Sequence, residues 1–134
     1  MKNLILIVIL LLSLNSLSQN LECCNNVEEV KSAIKGDWKL KKGNQNMIYR
    51  FIFNDDKGII EVLEELNLPP KADNNYYEKP IMEELTNINI KFDNGVFFIE
   101  LTNLHYEISE QIFVLNEEYF IYGKGASEHA FIRD

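Results

Sequence analysis

The sequence predicts an all-β fold, an eight-stranded antiparallel up-and-down barrel preceded by one short helix. Turn-forming residues recur at a nearly regular spacing after residue 36, apolar and polar residues alternate between the turns, and only one segment shows helical periodicity. A meander this long exposes two edge strands unless it closes, and about eight strands close around side chains or one small ligand. A sandwich, or an open sheet curled over the helix, is the alternative architecture.

The chain begins with a segment typical of a secretion signal. Lys2 precedes an unbroken apolar run over residues 4–12, which is shorter than the ~20 residues that a membrane-spanning helix needs. Ser16 and Ser18 then place small residues where signal peptidase requires them. The predicted divisions are a signal peptide over 1–18, an N-terminal segment with the short helix over 19–36, and a barrel domain over 37–134. Cleavage would leave a soluble protein, secreted or periplasmic.

The composition excludes several classes of partner. With 46% apolar and 25% charged residues, the chain is expected to fold. Lys2 is the only charged residue of the predicted signal, so the mature chain carries 12 basic and 21 acidic residues, a net charge of -9. Such an acidic surface repels nucleic-acid phosphates and anionic lipid headgroups. We therefore expect no nucleic-acid partner and no binding to a membrane surface.

Two adjacent cysteines, Cys23 and Cys24, lie between the predicted signal and the helix. Neighbours in sequence close too small a loop to stabilise a fold through a disulfide. Four fates stay open: a vicinal disulfide, a disulfide to another chain, free thiols in an unimportant N-terminal segment, or a lipid anchor on Cys23. Glu22 stands where a lipoprotein signal has a small residue, which speaks against the lipid anchor.

Residues 26–35 form the predicted helix. Val27, Val30 and Ile34 recur at helical spacing, Asn25 or Asn26 is suited to cap the first turn, and Gly36 follows the last one. A helix this short depends on packing against another part of the chain.

Eight predicted strands follow, separated by turns rich in glycine, asparagine and aspartate. They cover residues 37–42, 47–53, 59–66, 84–92, 96–102, 106–115, 119–124 and 128–133. The segment Asp93-Asn94-Gly95 is a strong hairpin signal. The longest loop, residues 67–80, holds all three prolines together with Tyr76 and Tyr77, and we expect it to act as a lid or a protein contact site.

Aromatic side chains recur on the predicted buried faces of the strands and would converge on the barrel interior. There they either fill the barrel or line a ligand cavity. The candidate ligand-binding residues are Tyr49, Phe51, Phe53, Phe92, Phe97, Tyr106, Glu110 and Tyr119.

Glu110 interrupts an otherwise apolar face, shared with Tyr106, Ile108, Ile112 and Val114. Two orientations stay open. A bulge over residues 109–111 turns the carboxylate outward, or the carboxylate points into the barrel and is available to anchor a ligand.

The segment Gly36-Asp37-Trp38 follows the helix and opens the first strand, and Arg133 ends the last one. This arrangement resembles the lipocalin-like domains of small secreted bacterial proteins, which are β-barrels of the calycin type. The resemblance implies that Trp38 lies at the closed end of the barrel and that Arg133 packs across its indole ring. Gly36 completes this structural motif. These residues are structural in the family, so the resemblance identifies no ligand.

The sequence carries no arrangement typical of catalysis or metal binding. It lacks the nucleophile-elbow, zinc-protease and phosphate-loop motifs. Its two histidines, His105 and His129, have no companion ligands nearby in the sequence. Residues 54–58 superficially resemble a calcium loop, but Phe53 stands where its first carboxylate belongs and no Glu follows at the required distance, so a hairpin turn is expected. We therefore expect no catalytic residues, no metal and no cofactor.

The expected function is the non-catalytic binding of a small hydrophobic or amphipathic ligand inside the barrel. The alternative is a barrel with a solid core that serves as a protein-interaction or inhibitor module through the loop over residues 67–80.

Overall fold

The computed structural model describes residues 21–55, 57–65, 78–80 and 85–134. The predicted signal peptide and most of the loop over residues 67–80, with Tyr76 and Tyr77, lie outside the described residues. The described elements are α1 (Val27–Ile34), β1 (Gly36–Leu40), β2 (Met47–Asn54), β3 (Lys57–Glu65), β4 (Glu78–Pro80), β5 (Thr86–Asp93), β6 (Val96–Thr102), β7 (Glu107–Leu115), β8 (Tyr119–Tyr122), a short 3-10 helix (Gly125–Ser127) and β9 (His129–Arg133).

Eight of these strands form one closed antiparallel barrel. Each pairs with the next strand along the chain, and β9 pairs back with β1, where Trp38 stands opposite Arg133. The predicted fold class, an eight-stranded up-and-down barrel with one short N-terminal helix, is confirmed. The ends of the predicted strands differ from the observed ones by two residues at most. The prediction missed β4, which pairs with β3 over Leu63–Glu65, beyond the point where β5 ends its own pairing with β3.

The helix α1 covers the end of the barrel at which β1 begins. Asn26 caps it, because its side-chain oxygen accepts a hydrogen bond of 2.9 Å from the Glu29 backbone nitrogen. Val30 and Ile34 are fully buried, and the helix packs against β5 and β7. The apolar stripe predicted from the sequence therefore closes the bottom of the barrel. Within the described part of the chain, no helix is long and apolar enough to cross a membrane.

Arg133 joins the last strand, the first strand and the helix at this closed end. Its guanidinium carbon lies 3.7 Å from the centre of the Trp38 ring. The same group donates hydrogen bonds to the carbonyls of Lys35 at 3.0 Å and Ala33 at 2.7 Å. These carbonyls end the helix and have no hydrogen-bond partners within it. The guanidinium therefore supplies their hydrogen bonds, and its positive charge offsets the partial negative charge of the helix C-terminus. Trp38 itself is fully buried and donates from Nε1 to the carbonyl of Ile34 at 2.6 Å.

Aromatic rings fill the barrel next to this closed end. Phe120 contacts Trp38, Phe51 and Phe131, with ring centres 5.6 to 5.8 Å apart. All four side chains are buried. We call this region the closed half of the interior. The rings of Tyr49 and Tyr122 contact Phe131 at 5.3 and 5.9 Å, so this aromatic core continues into the rest of the interior.

The two cysteines form a vicinal disulfide. Of the four fates left open by the sequence, the structure shows this one. Cys24 is buried beside Leu21 and joins the core under α1, whereas Cys23 is exposed.

Replacing Trp38 with alanine is expected to lower the free energy of unfolding by about 3 to 5 kcal/mol, because a fully buried ring is lost. Arg133→Ala is expected to cost about 1 to 2 kcal/mol through the lost cation–π contact and helix-end hydrogen bonds. Urea unfolding followed by circular dichroism measures both. Lys91→Ala, on the exposed outer face of β5, is the control and should leave stability unchanged. Wild-type stability in Trp38→Ala would refute this account of the closed end.

Gly58→Ala is expected to destabilise the barrel by about 1 to 3 kcal/mol, since it overpacks a buried position. A Cβ at Gly58 would lie 2.5 Å from a methyl carbon of Ile88 and 2.7 Å from its backbone oxygen, which cannot move aside. Gly43→Ala, in an exposed turn, is the matched control and should be nearly neutral. Equal melting temperatures for the two variants would contradict the close packing of β3 on β5.

Candidate functional site

The interior beyond the closed half is polar. β9 runs from His129 to Arg133 at the closed end, and β3 runs from Gly58 outward to Glu64, so His129 and Glu64 lie at the opposite end. We call this region the open half. The inward-facing polar residues that line it are Tyr49, Glu64, Thr86, Tyr106, Glu110, Tyr122 and His129.

Tyr122 is the most deeply buried member of the open half. It pairs with Ile112 on one side and His129 on the other, and only 3% of its surface is exposed. Its ring stacks on the imidazole of His129 at 4.9 Å. No donor or acceptor of the described residues lies within hydrogen-bond distance of its hydroxyl. A buried hydroxyl without a partner costs about 1 to 3 kcal/mol, which makes this group a candidate binding group.

Burial and negative charge keep Tyr122 protonated. Burial is the largest cause of its raised pKa, and the charges of Tyr106, Tyr49 and Glu110 add to it. Burial also raises the pKa of Tyr49. At neutral pH both phenols therefore remain neutral and present a donor as well as an acceptor.

Glu110 points into the barrel. It pairs with Ile99, and the next inward position, Ile108, pairs with Leu101; both partners are buried core residues. The bulge of β7 lies between Ile112 and Val114, beyond Glu110, and leaves its orientation unchanged. Of the two orientations left open by the sequence, the structure shows the inward one. Among the described residues, no cation lies within ion-pair distance of this carboxylate.

A second inward carboxylate was missed by the sequence analysis. Glu64 follows Ile60 and Val62 on the buried face of β3 and pairs with Met47. The alternation along β3 places Glu64 on the same face as Ile60 and Val62. The two faces are hard to distinguish in the sequence because Leu63, on the outer face, is also apolar and buried.

Thr86 and Tyr106 mark the rim of the open half. Their hydroxyls lie 3.3 Å apart and share a hydrogen bond. Thr86 is buried, whereas Tyr106 precedes β7 and is partly exposed.

At the same end, Nδ1 of His129 lies 2.8 Å from the carbonyl of Ser127. A carbonyl only accepts, so Nδ1 carries the proton and Nε2 of the neutral ring is left as an acceptor.

Seven of the eight predicted ligand-binding residues separate into three groups. Tyr49, Tyr106 and Glu110 lie around Tyr122. Phe51, Phe53 and Phe97 pack in or against the core nearer the helix. Phe92 contacts Phe97 at 4.7 Å but lies at the barrel end with 52% of its surface exposed.

The prediction that Tyr119 faces the interior is wrong. In β8, Phe120 and Tyr122 occupy the inward positions, so Tyr119 faces outward and lies under the ammonium group of Lys41 at 5.7 Å. All residues of β8 are apolar or aromatic, and the alternation alone could not distinguish its two faces. The pairing of Phe120 with Phe131 decides the orientation.

Two shallow surface depressions lie outside the barrel. One, of about 590 Å³, borders the disulfide and the first turns of α1. The other, of about 310 Å³, lies on the outer face of β3, β5 and β6, where Asn89 donates to Glu100 at 2.8 Å. The two polar side chains in the second depression therefore hydrogen-bond to each other. Among the described residues, no group of three or more histidines, cysteines and carboxylates is placed to hold a metal ion.

Raising the pH above the ordinary tyrosine pKa of 10.0 is expected to destabilise the protein through Tyr122. The pKa of Tyr122 is higher in the folded state than in the unfolded state. Its contribution to the free energy of unfolding is therefore complete below pH 10.0 and is lost as the pH rises from 10.0 toward the pKa of the folded state. The free energy of unfolding should fall by on the order of 1 kcal/mol per pH unit in that window.

Urea titrations at several alkaline pH values measure this slope. The slope should be smaller in Tyr122→Phe and unchanged in Tyr119→Phe, whose ring is partly exposed. An unchanged slope in Tyr122→Phe would contradict the burial of this phenol.

Comparison with known proteins gives no match for this chain. No model of a known protein family matches it, no curated protein is similar to it, and no solved structure resembles it closely enough to count as a match.

Proposed function

We propose that the chain is a lipocalin-like barrel that binds a small amphipathic molecule in the open half of its interior, without a catalytic step. One observation carries the proposal: Tyr122 is buried, faces inward and has no hydrogen-bond partner among the described residues. A ligand with a polar group would supply the missing partner.

The apolar surroundings of this hydroxyl support an amphipathic ligand. Val62, Leu101 and Ile112 are buried inward-facing neighbours on three strands around the open half. Ligand sites typically combine such an apolar lining with a few polar groups that fix orientation. Tyr122 and Glu110 are these polar groups.

The polar interior argues against the solid-core alternative. A barrel that served only as a scaffold would gain stability from apolar or fully hydrogen-bonded side chains at these positions. Instead, the inward faces carry two carboxylates and an unpaired hydroxyl. The lipocalin-like assignment is supported by the strand count and by the contact of Arg133 with Trp38.

We further propose that the protein is exported, on the basis of the apolar N-terminal segment. The vicinal disulfide is in keeping with an oxidising compartment.

Tyr122→Phe is expected to weaken ligand binding about 3- to 10-fold, the factor for one net hydrogen bond. The neutral amphipathic fluorophore N-phenyl-1-naphthylamine, which carries one N–H donor, is a suitable probe for a fluorescence titration. The stability of Tyr122→Phe without probe should equal or exceed that of the wild type, because the lost hydroxyl has no hydrogen-bond partner among the described residues.

Tyr119→Phe removes an outward hydroxyl from the same strand and serves as the matched control, with wild-type affinity expected. The proposal fails if the wild type shows no saturable binding and if mass spectrometry of the purified protein finds no bound small molecule. Equal affinities of wild type and Tyr122→Phe would remove Tyr122 from the site.

A further inference from the structure

The open half carries negative charge without a matching positive charge. Glu64 and Glu110 both face inward there. Among the described residues, no lysine or arginine lies within ion-pair distance of either carboxylate, and Arg133 lies at the closed end, where it binds Trp38 and the helix carbonyls. A partly buried carboxylate without a cation is unfavourable, and a cationic ligand would compensate it.

Aromatic rings surround the same space. Tyr49, Tyr106 and Glu110 each lie close enough to Tyr122 for their charges to act on its hydroxyl. The faces of tyrosine rings attract ammonium groups, and several rings around one carboxylate are a recurrent arrangement for amines and quaternary ammonium groups. Only 3% of the surface of Tyr122 is exposed, and its hydroxyl, which has no hydrogen-bond partner among the described residues, would accept a hydrogen bond from an N–H donor.

Apolar side chains stand at the mouth of the open half. Leu104, in the loop between β6 and β7, is 84% exposed, and Leu85, just before β5, is 51% exposed. Both lie at the end of the barrel marked by Thr86 and Tyr106. An apolar part of the ligand would cover them while its charged end reached Glu110.

We infer that the ligand is an organic cation, an amine or quaternary ammonium group joined to an apolar chain, with Glu110 as its counter-ion and Tyr49, Tyr106 and Tyr122 around it. This inference rests on the proposed function. The acidic surface, with a net charge of -8 for the whole sequence, would also attract such a ligand.

Isothermal titration calorimetry with probes that share one octyl chain tests the charge preference. The probes are octyltrimethylammonium, octylammonium, octanol and octanoate, used at neutral pH with the full mature protein. The two cations are expected to bind about 10-fold or more tightly than octanol, and octanoate should bind most weakly.

Glu110→Gln is expected to bring the affinity for the cations down to that for octanol, with octanol binding unchanged. Glu107→Gln is the matched control, because Glu107 is exposed on the outer face of the same strand and its loss changes the net charge equally. Glu107→Gln should keep the wild-type preference. If Glu110→Gln does not fold, the order of affinities in the wild type decides alone.

The possible results separate this inference from the function on which it rests. Equal or tighter binding of octanol or octanoate than of the cations would overturn the cation inference and leave the binding function standing. Equal effects of Glu110→Gln and Glu107→Gln would also overturn it. Binding of none of the four probes would overturn both.

Discussion

The contact of Arg133 with Trp38 and the end of α1 is the constraint on which the rest of the structure depends. One guanidinium covers the indole ring at 3.7 Å and donates to two helix carbonyls, so it joins the first strand, the last strand and the helix. The β1–β9 seam, which closes the barrel, passes through this same pair of residues. The residue pair at the seam that closes the barrel therefore also holds the helix over one barrel end.

This arrangement leaves only one end of the interior for a ligand. The closed half is filled by Trp38, Phe51, Phe120 and Phe131, whose rings contact one another. Apart from Arg133 and Tyr49, which contact these rings, the polar inward residues described above lie toward the other end, where no helix covers the barrel among the described elements. The fold thus places the buried aromatic core at the closed end and the proposed binding residues around Tyr122 toward the open end.

Much of the fold follows from the sequence, because turn residues and alternation are local signals. The strands were predicted to within two residues and the helix with its cap. The site was harder, because it depends on register between strands. Tyr119 and Tyr122 are equally plausible inward residues until β8 is paired with β9, and the direction of Glu110 depends on where the bulge of β7 falls. Glu64 and Thr86 are ordinary polar residues in sequence and gain their role only when the barrel closes around them.

The most direct test of the central claim is an NMR titration of protein labelled with ¹³C in its tyrosine rings, using octyltrimethylammonium as the ligand. The six tyrosines of the chain include both inward and outward rings. Saturable shifts at Tyr49, Tyr106 and Tyr122, with Tyr119 unchanged, are the result that the proposed site predicts. Shifts at Tyr119 as large as those at Tyr122, or no shifts at any ring, would contradict it.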